Sequence, residues 1–207
     1  MAKPIPGQPY LMLVTEPMEV ARLVQVVRKA VAGGVNLVQL RDRSATVSEV
    51  IRTTRALQES LGETPLLING STVAARDAHA AGLHLPESGP KIEDLRREMG
   101  PDKWIGRSIH TVENAILSAE AGADYLVAGT IFVSRSHPGA EPAGIAFLKT
   151  VCKTVSIPVI AIGGITPENA PDCIGAGAAG VAVLSSILHA DDPRAAAAQY
   201  RAALERP

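Results

Sequence analysis

Short apolar runs alternate with longer amphipathic stretches along the whole chain, and this alternation restricts the fold more than any other feature of the sequence. The runs have the length of strands, and the stretches between them carry apolar residues at helical spacing. Strands that alternate with helices pair in parallel through βαβ units, and eight such units close a (β/α)8 TIM barrel. The runs that predict strands are residues 10–14, 35–40, 65–68, 83–85, 104–106, 125–128, 157–162 and 180–184.

The stretches between the strands predict helices, and Thr46 and Glu49 have the spacing of a capping box. The alternative fold is an open doubly wound sheet, which needs a glycine-rich turn after the first strand, whereas residues 15–17 read Thr-Glu-Pro. No linker divides the chain, so we predict one compact barrel domain over residues 1–207. The predicted helices are residues 19–32, 46–61, 71–81, 91–99, 111–121, 145–155, 168–176 and 193–204.

The composition excludes several classes of partner. The formal net charge is −1, from 20 basic and 21 acidic residues, which provides no broad electrostatic field for nucleic acid or an anionic membrane. Aromatic residues form only 3% of the chain, too few for a base-stacking surface. The two cysteines, Cys152 and Cys173, exclude a disulfide framework. No apolar run has the length of a bilayer span and no signal peptide begins the chain, so we expect a cytoplasmic protein, in which any recognition of phosphate must be local.

The strongest candidate site lies at the ends of the last two strands. In a (β/α)8 barrel the functional residues lie at the C-terminal ends of the strands, and phosphate commonly binds after strands seven and eight. Gly163-Gly164 follows the seventh strand, and Ser185-Ser186 follows the eighth and begins a candidate extra helix over residues 185–188. Backbone N–H groups at such a turn and helix start bind anions. We therefore expect Gly163, Gly164, Ser185 and Ser186 to bind a phosphate group.

Other strand ends supply candidates for the rest of a substrate. Gln39 and Arg41 alternate along the second strand end and so share a face, and arginine binds phosphate or carboxylate oxygens with paired donors. A competing interpretation is a rim of salt bridges around the intervening Asp42. The candidate substrate-binding residues are Gln39, Arg41, Asn69, Ser108, Thr130 and Ser136.

Two histidines are candidate proton carriers. His137 lies in the long loop 129–144, and His110 follows the fifth strand. A long loop in a compact barrel is often an active-site lid, and histidine exchanges a proton near neutral pH. His84 alternates with leucines, which leaves its direction open between the barrel mouth and a helix. No cluster of carboxylate, histidine or cysteine residues has the spacing of a metal site, so no metal ligand is predicted.

The strand-end motifs resemble those of the thiamine phosphate synthase superfamily. The resemblance covers nearly the whole chain in the family's order, and it implies a (β/α)8 barrel, a homodimer, and a thiazole phosphate bound at Gly164 and Ser185. The matching stretches are VQLRD at 38–42, LIN at 67–69, GLHL at 82–85, IGRSIH at 105–110, DY at 124–125, GTIF at 129–132, PVIAIGGI at 158–165 and GVAVLSSI at 180–187.

The resemblance implies one of two activities. Synthases of this superfamily join a pyrimidine pyrophosphate to a thiazole phosphate with Mg²⁺ and expel pyrophosphate, whereas its thiazole tautomerases isomerise a carboxythiazole phosphate by proton transfer. The synthase pattern has lysines and metal-binding aspartates where this chain has Arg43, Gly70, Ala81 and His137. These departures remove charge that would stabilise a leaving pyrophosphate.

We therefore expect a metal-independent thiazole tautomerase, an isomerase without a cofactor. The tautomerase histidine position is Thr130 here, so His137 or His110 would move the proton. One alternative is a thiamine phosphate synthase, for which Mg²⁺ would be required. The other is a regulatory protein that binds thiazole or thiamine phosphate without turnover.

Overall fold

The strands form a closed parallel barrel, which confirms the predicted (β/α)8 TIM fold. A computed structural model describes residues 7–133 and 141–205. Strands that are consecutive in sequence are neighbours in space, and β8 pairs with β1 at a seam where Tyr10 lies opposite Gly180. The strands are β1 (Tyr10–Val14), β2 (Leu37–Leu40), β3 (Leu66–Asn69), β4 (Gly82–Leu85), β5 (Trp104–Ile109), β6 (Tyr125–Gly129), β7 (Val159–Ile162) and β8 (Gly180–Val183).

Helices return the chain from the end of each strand to the start of the next. The capping box at Thr46 and Glu49 begins α2, and the short extra helix lies where it was predicted. Within the described residues no helix is both long and apolar enough to cross a bilayer. The helices are α1 (Val20–Ala32), α2 (Val47–Leu61), α3 (Thr72–Asp77), α4 (Ile92–Met99), α5 (Val112–Glu120), α6 (Gly144–Thr154), α7 (Ala170–Gly175), α8 (Ser185–Leu188) and α9 (Pro193–Leu204).

Alternate residues of each strand belong to two separate apolar cores. One core packs the outer face of the sheet against the helices, and the other fills the barrel interior. Towards the C-terminal ends of β2 to β5, the side chains that point into the barrel change from apolar to polar. Polar side chains therefore lie above an apolar floor. The interior core is formed by Tyr10, Met12, Val14, Leu37, Leu67, Tyr125, Val127, Ile160 and Ala182.

Most elements lie within two residues of their predicted bounds, and helix α3 differs most. Helix α3 ends at Asp77 instead of 81, because His79 has a φ of 52° and this left-handed backbone ends the helix. The alanines around it favour a helix but do not mark where the chain must turn back to the sheet. Strand β5 begins at Trp104, as predicted, and continues to Ile109, with the polar residues Arg107 and Ser108 paired to β6.

Candidate functional site

A polar cluster at the C-terminal ends of β2 to β5 covers the barrel interior. Asn69 Nδ2 donates to Gln39 Oε1 at 3.2 Å, and Gln39 Nε2 donates to Met12 Sδ below it at 3.7 Å. His84 Nε2 lies 2.9 Å from Ser108 Oγ. The structure thus brings together three predicted substrate-binding residues, Gln39, Asn69 and Ser108, and it directs His84 inward, towards the mouth of the barrel.

Arg41 extends this cluster at the end of β2. Its backbone N–H donates to Thr15 Oγ1 at 3.0 Å, which fixes the start of its side chain. Burial first, and then repulsion from Arg43, lower the pKa of the Arg41 guanidinium, while Glu16 acts in the opposite sense. A partly desolvated cation beside a second cation is stabilised by a bound anion. In the described ranges no carboxylate forms an ion pair with Arg41, so its charge is available to a ligand.

Asp42 does not neutralise the arginines on either side of it. Its Oδ1 accepts hydrogen bonds from the Ser44 N–H at 2.9 Å, the Ser44 hydroxyl at 2.7 Å and the Ala45 N–H at 3.0 Å. This turn commits the carboxylate to the loop before α2. The rim of salt bridges considered from the sequence is therefore absent from this strand end, as far as the structure describes it.

The turn after β7 leaves its N–H groups available. The Gly163 carbonyl accepts from Phe132 N–H, and the Gly164 carbonyl accepts from Asn169 Nδ2, both at 3.0 Å. In the part of the chain that the structure describes, the N–H groups of Gly163 and Gly164 donate to no carbonyl. Gly164 has a φ of 64°, and a Cβ there would lie 2.3 Å from the Val133 carbonyl oxygen. The turn thus requires glycine, and two unpaired amides remain for an anion.

The two serines of α8 have different surroundings. Tyr200 Oη, from α9, lies 2.9 Å from the Ile165 carbonyl oxygen and 2.8 Å from Ser186 Oγ. Tyr200 Oη is the donor in both contacts, so its one proton is shared between the Ile165 carbonyl and Ser186 Oγ. Both serines are exposed; Ser186 Oγ accepts from Tyr200, whereas Ser185 has no hydrogen-bond partner among the described side chains.

His110 lies on the exposed rim of the mouth in contact with Glu87. The His110 N–H donates to Glu87 Oε1 at 2.8 Å, and its Nδ1 lies 2.9 Å from Oε2, while Asn114 Nδ2 donates to Oε1 at 2.7 Å. Burial raises the pKa of Glu87, but these hydrogen bonds outweigh it and lower the pKa below its usual value. With its side chain 60% exposed and held by a carboxylate, His110 is poorly placed for proton transfer inside the mouth.

The remaining predicted residues are only partly described. Thr130 is half-buried at the end of β6, and its carbonyl accepts from Ala143 N–H at 2.8 Å, which joins the start of the following loop to its end. Ser136 and His137 lie outside the described residues.

The donor set at the mouth does not fit a Mg²⁺ ion held by protein carboxylates. Residue 70, after Asn69, is a glycine, while the carboxylates of Asp42 and Glu87 are already committed to hydrogen bonds. Among the described residues no three carboxylate, histidine or cysteine side chains are grouped as metal ligands. Magnesium prefers oxygen ligands in octahedral geometry, which these side chains do not supply.

Two tyrosines were missed in the sequence. Tyr125 Oη lies 3.0 Å from His84 Nδ1, and Tyr200 holds Ser186. Tyr125 begins β6 and Tyr200 lies in a helix, so neither is at a strand end, where functional residues were sought. The period of two along β6 does place Tyr125 in the interior, and this was the available signal.

Comparison with known proteins identifies relatives over most of the chain. A family model described as thiamine monophosphate synthase matches residues 11–187. A protein of Natronomonas pharaonis named thiamine-phosphate synthase is 39% identical over 187 residues, 87% of each chain. One of Clostridium novyi with the same name is 39% identical over 173 residues, 82% of this chain and 85% of that one.

Solved structures agree with these relatives. The thiamine phosphate pyrophosphorylase of Pyrococcus furiosus has a TM-score of 0.84 and 31% identity, with 95% of each chain covered. A 3-hexulose-6-phosphate synthase has a TM-score of 0.75 at 17% identity, a likeness of fold alone.

These relatives overturn the expectation of a thiazole tautomerase. The curated relatives are named thiamine-phosphate synthases, and the isomerase interpretation is therefore wrong. The isomerase interpretation relied on the absence of the lysines and aspartates that the synthase pattern has at the strand ends. Such losses do not determine the reaction, because Arg41 and Arg43 still supply positive charge at the end of β2.

Proposed function

Because the chain belongs to the thiamine monophosphate synthase family, we propose that it is a thiamine-phosphate synthase, a transferase that joins a pyrimidine pyrophosphate to a thiazole phosphate and releases pyrophosphate. The observation that carries this proposal is the shared name of the curated relatives, together with the family match over residues 11–187. In the reaction a C–N bond forms between the two heterocycles, and the C–O bond to pyrophosphate breaks.

The mouth offers separate places for the two anionic groups. The free amides of Gly163 and Gly164, with the Ser185 hydroxyl, support binding of the thiazole phosphate at β7 and β8. Arg41 and Arg43, which follow β2, support binding of the pyrophosphate, whose negative charge increases as it leaves. Strand β1 separates β8 from β2, so the two anions are held apart while the rings meet between them.

The polar cluster between these places fits an uncharged heteroaromatic ring. Gln39, Asn69 and Ser108 present amide and hydroxyl groups above an apolar floor, so they can match ring nitrogens and an amino group without adding charge. Such side chains orient a ring, and orientation of two reactants contributes much of the rate in a bimolecular joining reaction.

The direct test supplies both precursors with Mg²⁺ and measures thiamine phosphate and pyrophosphate. We expect the two products in equal amounts, and a folded protein that forms neither would contradict the proposal. Arg41→Ala should lower kcat/KM by about 100-fold, since it removes charge-assisted hydrogen bonds to the leaving group. Arg52→Ala, on the exposed face of α2, is the matched control and should leave kcat/KM unchanged.

A further inference from the structure

A chain of three polar side chains leads from the closed barrel interior to its mouth. Tyr125 Oη lies 3.0 Å from His84 Nδ1, and His84 Nε2 lies 2.9 Å from Ser108 Oγ. Tyr125 is fully buried and His84 is 2% exposed, whereas Ser108 is half-buried. The Tyr125–His84–Ser108 chain therefore has one end in a dry core and one end where a ligand can reach it.

A glycine in the intervening strand makes this chain possible. Gly106 on β5 lies in register between His84 on β4 and Tyr125 on β6. A Cβ at position 106 would lie 1.9 Å from Tyr125 Cζ, so the tyrosine ring occupies the space of the missing side chain. The ring thus crosses β5 and brings its hydroxyl to the histidine.

Both inner groups are neutral near physiological pH. Burial, and then the positive charges of Arg107 and Arg41, lower the pKa of His84 to about 3. Burial, and then the nearby carboxylate of Asp124, raise the pKa of Tyr125 well above its usual value. The phenol therefore keeps its proton, and the imidazole carries one proton on either Nδ1 or Nε2.

The contact with Tyr125 determines which imidazole nitrogen of His84 carries the proton. His84 Nδ1 is the hydrogen-bond partner that the structure gives the Tyr125 hydroxyl within the described residues. With a proton on Nδ1, both groups would be donors at this contact, and the phenolic hydrogen would have no acceptor, at a cost of about 1–3 kcal/mol. The phenol accordingly donates to Nδ1, and the ring proton is on Nε2, from which it is donated to Ser108 Oγ.

We propose that Tyr125 and His84 are positioning residues that fix the Ser108 hydroxyl as a hydrogen-bond donor to the substrate. Since Ser108 Oγ accepts from His84, its own proton points away from the histidine, towards the mouth. The substrate atom that meets Ser108 is then an acceptor, such as an unprotonated ring nitrogen. The substrate's identity rests on the proposed function, whereas the direction of the hydrogen bonds does not.

The first test measures that direction without any assay of activity. In protein labelled with ¹⁵N at histidine, long-range ¹H–¹⁵N correlation distinguishes the two imidazole tautomers, and His84→Gln identifies the signals of His84. We expect a ring protonated on Nε2 and unchanged between about pH 5 and pH 8. A ring protonated on Nδ1, or on both nitrogens, would overturn the proposal, whether or not the protein makes thiamine phosphate.

The second test asks whether His84 acts through Ser108. The shorter side chain of His84→Asn reaches only the position of Nδ1, so the hydrogen bond to Ser108 Oγ is lost. The side chain of His84→Gln places an amide donor near the position of Nε2 and can keep that hydrogen bond. We expect His84→Asn and Ser108→Ala each to raise the KM of one substrate by about 10-fold, with a smaller change in kcat, and His84→Gln to restore most of that loss. The double variant His84→Asn/Ser108→Ala should have the same KM as Ser108→Ala alone. Additive increases in KM would contradict the proposal.

Discussion

At the scale of single residues, the neutral ring of His84 makes stability depend on pH. Its pKa is about 3 in the folded protein against 6.5 for the exposed side chain. Between these values the unfolded chain binds more protons than the folded one, so acid favours unfolding. Lowering the pH from about 7 to about 5 should reduce the free energy of unfolding by about 2 kcal/mol through this group.

Urea denaturation at both pH values measures this effect, and His84→Gln provides the comparison because glutamine does not titrate. The variant should lose this part of the pH dependence. An unchanged pH dependence in His84→Gln would show that other groups cause it.

The location of individual residues at the barrel mouth was predictable where the position along a strand determines it. Gln39, Asn69 and Ser108 were found because polar residues at strand ends of a barrel face a common mouth. Tyr125 was not found, because its contact with His84 joins residues 41 positions apart and depends on the empty space at Gly106. A hydrogen bond between two distant elements leaves no periodic pattern in the sequence.

At the scale of elements, α9 gives the adjacent serines of α8 different roles. Ser185→Ala should raise the KM of thiazole phosphate by about 5–10-fold and leave stability unchanged, because it removes one hydrogen bond to the ligand. Ser186→Ala should instead lower the free energy of unfolding by about 1 kcal/mol, because the hydroxyl that it removes is bonded to Tyr200.

Steady-state kinetics and urea denaturation of both variants separate these effects, with Tyr200→Phe as a control for the contact. The sequence alone treats the two serines alike. If Ser186→Ala changed KM as much as Ser185→Ala, the separate roles assigned to the two serines would be wrong.

At the scale of the whole molecule, the barrel closes at the seam between β1 and β8. A Cβ at Gly180 would lie 2.2 Å from the Tyr10 carbonyl oxygen, and backbone cannot move aside as a flexible side chain can. Gly180→Ala should therefore reduce the free energy of unfolding by about 2–3 kcal/mol.

The matched control is Gly175→Ala at the end of α7, where a Cβ would meet nothing within 4 Å. It should be neutral or should stabilise the protein by up to about 1 kcal/mol. Thermal unfolding of both variants measures the difference, and equal stability would show that the seam tolerates a side chain.

The architecture as a whole was predictable because it depends on repetition. Each βα unit repeats the same apolar periods, so a shift of a boundary, as at the end of α3, leaves the count and the order of the strands intact. The activity was not predictable in the same way, because it depends on a few charged side chains, and an arginine such as Arg43 can stand where a lysine was expected without removing the positive charge.

The seam also sets an order of events during synthesis. Because the barrel closes between the first and the last strand, β1 and β7 remain open sheet edges until residues 180–183 have left the ribosome. The β7 turn and α8 receive their contacts from Tyr200 later still. A growing chain therefore keeps the edge of β1 unpaired until β8 is made, and the barrel end where we propose that phosphate binds receives its contacts from α9 last.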